Sequence, residues 1–308
     1  MPDSRRFLDP RVLNRIDKLE LKARLVVEGT VAGLHRSPYR GVSVEFAQHR
    51  QYVPGDDLRF LDWKIFARSD RYTIKEFEEE TNLIAHIFLD ASGSMRYSSM
   101  TPGGDEKQIT KFHYASWAAA ALAHLALRQR DAVGLVVFDE KVRSVVPPSA
   151  GVNHLDLLLR TIGGIEPSAS TAPEKALMES ANSITRRGMV LLFSDLMADA
   201  ASVLKALSTL RARGHDVIVM RVLDPAEVHF EFDRMTRFDN LEGADQLLVD
   251  PRSIRTAYLE EFKKHDEALR RGCVADRIDL HRLTTETPLD VSLVAYLGAR
   301  AARHRLRA

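Results

Sequence analysis

A single cysteine, Cys273, is present among 308 residues. An internal disulfide is therefore impossible, a multi-cysteine zinc site is excluded, and nothing points to an oxidising compartment. Net charge is almost absent too: 44 Lys+Arg against 43 Asp+Glu leave a formal +1. Without a strongly basic stripe there is no electrostatic case for nucleic acid. Long apolar runs are also missing. The longest uncharged stretch, 112–127, contains His113, Ser116 and His124. It falls short of the ~20 apolar residues of a membrane-spanning helix and predicts a buried helix, with no membrane insertion. Residues 1–10 carry Asp3, Arg5, Arg6 and Asp9 but no apolar core, which predicts no secretory signal and a cytoplasmic address.

Several catalytic signatures are missing as well. G-x-x-x-x-G-K-[ST] occurs nowhere, which argues against a P-loop ATPase, and neither H-E-x-x-H nor a G-x-S-x-G elbow is found. What is present is ordinary globular material: 45% hydrophobic and 28% charged residues are enough apolar surface to offset the entropy of ordering. At roughly 150 residues per domain the length allows one large domain or two smaller ones.

Two regions differ in rhythm. Residues 1–80 form a charged N-terminal appendage. Within it, apolar spacing predicts a helix over 10–28 and a strand over 42–46. Pro54-Gly55-Asp56-Asp57 reads as a turn in which either aspartate caps a helix over 58–67, and 71–79 reads as a half-buried strand. Trp63 and Trp117 are expected in the core. The tail arginines, Arg300, Arg303, Arg305 and Arg307, read as a helix end or a weak contact patch.

From 81 to 308, strands and helices alternate. Strands are predicted over 83–89, 132–138, 189–193, 216–222 and 278–283, with shorter pieces at 142–146 and 246–249. Helices are predicted over 111–128, 152–162, 173–186, 200–212, 253–272 and 289–304. Near-continuous apolar strands joined by helices predict an α/β fold: a doubly wound, mainly parallel sheet with helices on both faces.

Ligands of such sheets collect at the carboxyl ends of the strands. Short oxygen-bearing residues fall there: Asp90, Ser92 and Ser94 after the first strand, Asp195 after a later one. Between them, the loop 167–171 carries Ser168, Ser170 and Thr171. Two carboxylates, two or three hydroxyls and water make a hard oxygen shell suited to Mg²⁺, with Mn²⁺ as a substitute. Asp139, after the 132–138 strand, is at most an outer partner.

The pattern Asp90-x-Ser92-x-Ser94, then Thr171, then Asp195 resembles the metal-ion-dependent adhesion site of von Willebrand factor A domains. The resemblance implies that Asp90, Ser92, Ser94, Thr171 and Asp195 hold the cation, with Ser168 and Ser170 competing for the role of Thr171. It also implies one coordination position left for a carboxylate of a protein partner. The stretch GVSVEFAQHRQYVPGDDLRFLDWKIFARSDRYTIKEFEEE, residues 41–80, is similar to the signature of the bacterial domain-of-unknown-function 58 family. Members of that family commonly accompany MoxR-type AAA+ ATPases, so the resemblance implies a non-enzymatic, chaperone-like role in maturing or assembling other complexes. The rival expectation is a haloacid dehalogenase-like phosphatase or phosphotransferase with Asp90 as nucleophile and the Asp195-x-x-x-Asp199 pair. Ser92 stands where that chemistry needs a general acid.

Overall fold

The computed structural model describes residues 44–53, 61–79, 83–99, 109–167, 173–184, 186–239 and 246–305. The chain divides into two compact units, one within Thr30–Asn82 and the other containing everything from Leu83 onward.

In the smaller unit, β1 (Val44–Gln51) pairs antiparallel with β2 (Thr73–Glu79), and α1 (Trp63–Ser69) lies between them in the chain. The helix starts five residues later than expected. Leu61 is bridged to Ile74 in extended conformation, and Asp62 is the cap, accepting from the N–H groups of Lys64 at 2.9 Å and Ile65 at 3.2 Å. Asp56 and Asp57 lie outside the described residues, as does the helix expected over 10–28. Trp63 is 62% exposed and so is not the core residue expected of it. Phe66 instead stacks on Tyr72 with ring centres 4.6 Å apart.

The larger unit is built on six strands in the order β10-β7-β6-β3-β4-β5: β3 (Ile84–Asp90), β4 (Ala132–Phe138), β5 (Val142–Ser149), β6 (Met189–Ser194), β7 (Asp216–Leu223) and β10 (Asp279–Thr284). All neighbours are parallel except β5, which runs antiparallel to β4 at the edge. β5 continues through Pro147 and Pro148, three residues beyond expectation, because an edge strand tolerates a missing N–H. Gly134 of β4 makes room for this: a Cβ there would sit 2.9 Å from Pro148 Cγ. Two features were not foreseen, a short helix α6 (Pro225–His229) and a strand β8 (Thr236–Asp239), which pairs with β9 (Gln246–Val249).

Helices cover both faces. Ala85, Ile87 and Leu89 of β3 point to a core shared with α2 (Lys111–Arg128), α3 (His154–Gly163) and α8 (Leu289–Arg305). Phe88 of β3 points to the opposite core, shared with α4 (Pro173–Ser183), α5 (Ala200–Ala212) and α7 (Pro251–Ala275). This period-two division is why the strands are apolar throughout. α2 forms because alanine has the best helix propensity. Its small residues Ala118–Ala121 are buried, and Thr110 caps the start by accepting from His113 N–H. Each large side chain fully buried here contributes on the order of 1.5–3 kcal/mol. Arg300 belongs to no surface patch: it is 3% exposed and donates to Asp279 at 2.9 Å and Asp216 at 2.5 Å, tying α8 to β10 and β7. Among the described residues no helix is long and apolar enough to cross a membrane.

The strand order sets the position of the site. From β3 the chain moves to β4 and β5 on one side, then returns to β6 and continues to β7 and β10 on the other. The order reverses between the adjacent strands β3 and β6, so a crevice is expected outside their carboxyl ends.

Candidate metal centre

Asp90 closes β3 and Asp195 directly follows β6, so both stand at that reversal point, 1% and 2% exposed respectively. After Asp90 the chain stays extended for one residue, with Ala91 N–H donating to Phe138 O at 2.7 Å. It then enters a tight turn over Gly93–Arg96. Ser92 heads that turn without spending its hydroxyl on a cap, and its Oγ lies 3.2 Å from Ser94 Oγ. Ser92 N–H donates to Asp90 Oδ1 at 2.8 Å, and the Ser94 hydroxyl donates to Asp195. Four of the five expected ligands are thus drawn into one network. Thr171, Ser168 and Ser170 lie outside the described residues.

Asp195 is held by a strained turn. Leu196 adopts φ 51°, a left-handed conformation costing a residue with a Cβ roughly 1–2 kcal/mol. Bonds around it compensate: Leu196 N–H donates to Ser194 Oγ at 3.1 Å, Met197 N–H to Asp195 Oδ1 at 3.2 Å, and His265 contacts Leu196 O at 2.8 Å.

Three participants were not anticipated. Ser194 donates its hydroxyl to Asp90 Oδ2 at 2.5 Å. Lys111, completely buried at the first position of α2, donates to Asp195 Oδ2 at 2.6 Å and to Glu227 Oε1 at 2.5 Å. Glu227 is fixed in turn, its Oε2 accepting from Asp224 N–H at 2.9 Å in the capping box that starts α6. The available signals were slight: a lysine opening a helix with no further charge until Arg128, and Asp-Pro-x-Glu after a strand. Asp139 and Asp199 are employed elsewhere. Asp139 accepts from Lys141 N–H and pairs with Arg143, and Asp199 caps α5 by accepting from Ser202 N–H at 2.9 Å.

The electrostatics divide the two aspartates. Burial pushes Asp195 up, but the Lys111 ammonium and the bonds from Ser94 and Met197 outweigh it and hold the group below the ordinary carboxylate range. Asp90 has no such cation. Burial, then repulsion from Asp195, raise it to about 7 against the hydroxyls of Ser194 and Ser92. Glu227 is raised by burial and by repulsion from Asp195, against the pull of Lys111. Lys111 itself is raised, since burial alone would lower it and its two carboxylates outweigh that.

A divalent cation fits this donor set in kind: every donor is a hard oxygen, and Asp90 is a buried carboxylate with no cationic partner among the described residues. The set is also sparse. Among the described residues no three His, Cys, Asp or Glu side chains come together as a metal cluster, so hydroxyls and water would supply the remaining positions.

A family model described as "Protein of unknown function DUF58" matches residues 48–268. The chain belongs to the DUF58 family. The relatives of this DUF58 chain include the uncharacterized protein Rv1480 of Mycobacterium tuberculosis and its Mycobacterium bovis counterpart Mb1516. Each is 26% identical over 284 residues, covering 88% of this chain and 85% of the relative. Among solved structures, the conserved hypothetical protein BatB from Bacteroides thetaiotaomicron aligns with a TM-score of 0.43 and 15% identity, over 72% of this chain and 99% of that chain. An aerotolerance-related membrane protein from Bacteroides fragilis gives 0.43 and 16%, over 72% and 99%. Scores this low describe a partial likeness and lend nothing to a functional reading.

Proposed function

We propose that this DUF58 chain is a non-enzymatic protein-interaction module of von Willebrand factor A-like, Rossmann-like design. In this reading Asp90, Ser92, Ser94 and Asp195, with Thr171 as loop ligand, hold Mg²⁺ (or Mn²⁺). The observation that carries the proposal is the convergence of Asp90, Ser92, Ser94 and Asp195 at the reversal point between β3 and β6. A divalent ion bound there would supply one electrophilic position to an incoming carboxylate.

The chain's own residues do the rest. Ser92 N–H and Ser194 orient Asp90, Lys111 orients Asp195, and the serine pair bridges the two. With few formal charges in the shell, the ion keeps an appetite for a further anion. The partner is then a protein presenting a glutamate or aspartate, and in this reading a MoxR-type AAA+ ATPase, met in the cytoplasm during maturation or assembly of other complexes. Pull-down from native lysate, with Mg²⁺ or chelator, tests it. Capture of an AAA+ ATPase that vanishes with chelator and in Asp90→Ala, with the fold intact, is the expected result. Capture indifferent to both treatments would remove the metal bridge from the account.

A further inference from the structure

The buried lysine beside the candidate ion site is the least expected feature of the molecule. Lys111 sits at the first position of α2, where the positive end of the helix dipole disfavours an ammonium. It is completely buried and still makes two ion pairs, to Asp195 at 2.6 Å and Glu227 at 2.5 Å. Its surroundings hold it in place. Lys111 N–H donates to Tyr97 O at 3.1 Å, Glu227 is gripped by Asp224 N–H, and Asp224 accepts from Ser99 N–H at 2.9 Å. Arg221 Nε donates to Asp195 O at 2.9 Å and fixes the backbone on which Asp195 stands. Buried ion triads add little to stability compared with apolar packing, so a gain in stability does not by itself account for the arrangement.

Resting on the metal-bridge reading above, we propose that Lys111 is a built-in cation that competes with the divalent ion for Asp195 and keeps the site's affinity for the bare ion low. The ammonium occupies Asp195 Oδ2 and shares its charge between Asp195 and Glu227, leaving Asp90 and the serines as the oxygen donors not engaged by a cation. A partner carboxylate restores the missing negative charge, so ion and partner bind each other's complex more tightly than either binds alone. Lys111 is in this sense a positioning residue that makes ion retention depend on the partner.

The test is titration of the purified full chain with Mn²⁺ alone, following free Mn²⁺ by electron paramagnetic resonance. Lys111→Met should bind Mn²⁺ at least about tenfold more tightly than the wild type, because a unit positive charge a few ångströms from the ion has been removed. Lys111→Met/Glu227→Gln guards against a fold weakened by two unpaired carboxylates and should keep a smaller gain, because Asp195 is freed while the net charge beside the ion equals that of the wild type. Lys111→Met/Asp90→Asn should lose it. Unchanged or weaker binding in the folded Lys111 variants, with the wild type binding, overturns the proposal and leaves the metal reading standing. A gain that survives Asp90→Asn also overturns it, since the ion would then have taken the ammonium's own place. If no form binds Mn²⁺ at millimolar concentration, both readings fall.

Discussion

Asp90→Asn should make the metal-free protein more stable while removing its proposed function. The carboxyl is buried, raised from 3.8 to about 7 chiefly by burial and by Asp195. A group whose folded pKa lies above its unfolded value contributes stability that is complete below about 4 and is lost as pH climbs through about 7. The shift of about three units corresponds to at most about 4 kcal/mol at 1.36 kcal/mol per unit, and coupling to Asp195 makes about 2–4 kcal/mol the sensible range. Asparagine keeps an acceptor for Ser92 N–H, offers a donor toward Ser194, and cannot ionise. Urea unfolding in chelator at pH 5 and pH 8 reads the effect. The variant should exceed the wild type by roughly 1–2 kcal/mol at pH 5, where the unfolded carboxyl already ionises, and by about 2–4 kcal/mol at pH 8, with the advantage shrinking when Mg²⁺ is added to the wild type. A variant less stable than the wild type at pH 8 would refute the reasoning, because Asp90 would then be a structural charge rather than one retained for a cation.

Two further outcomes are expected. His86 is held down to about 4, mainly by burial, so its contribution is complete above about 6.5 and is lost as pH falls toward 4. Between those limits the wild type should lose about 2–3 kcal/mol relative to His86→Gln in urea titrations; parallel curves would contradict this. Arg300→Met removes the buried guanidinium shared by Asp216 and Asp279 and should cost about 2–4 kcal/mol, lowering the calorimetric midpoint by roughly 5–10 °C.

How much of this was legible depended on the length scale of the signal. Long elements with one dominant pattern were readable: α2 spans Lys111–Arg128 and β4 spans Ala132–Phe138, as apolar content and charge boundaries implied. Local signals that compete were not. The Pro-Gly-Asp-Asp turn offered a cap for α1, but the strand-like bridge of Leu61 to Ile74 postponed the helix to the next aspartate, Asp62. The piece expected over 142–146 continues to Ser149, because its edge position tolerates Pro147 and Pro148. At the site, Asp90, Ser92, Ser94 and Asp195 could be found because strand ends of a parallel sheet share one edge. Lys111 and Glu227 could not be found that way. Their meeting depends on the start of α2 and the first turn of α6 approaching Asp195 together, and no sequence periodicity encodes that approach.

The central claim is that a divalent cation sits between the carboxyl ends of β3 and β6. Crystals soaked in Mn²⁺ and measured for anomalous scattering test it most directly. The account predicts one strong peak within coordination distance of Asp90, Ser92 and Ser94, lost in Asp90→Asn. A map with no peak there, or with its only peak elsewhere on the surface, would contradict it.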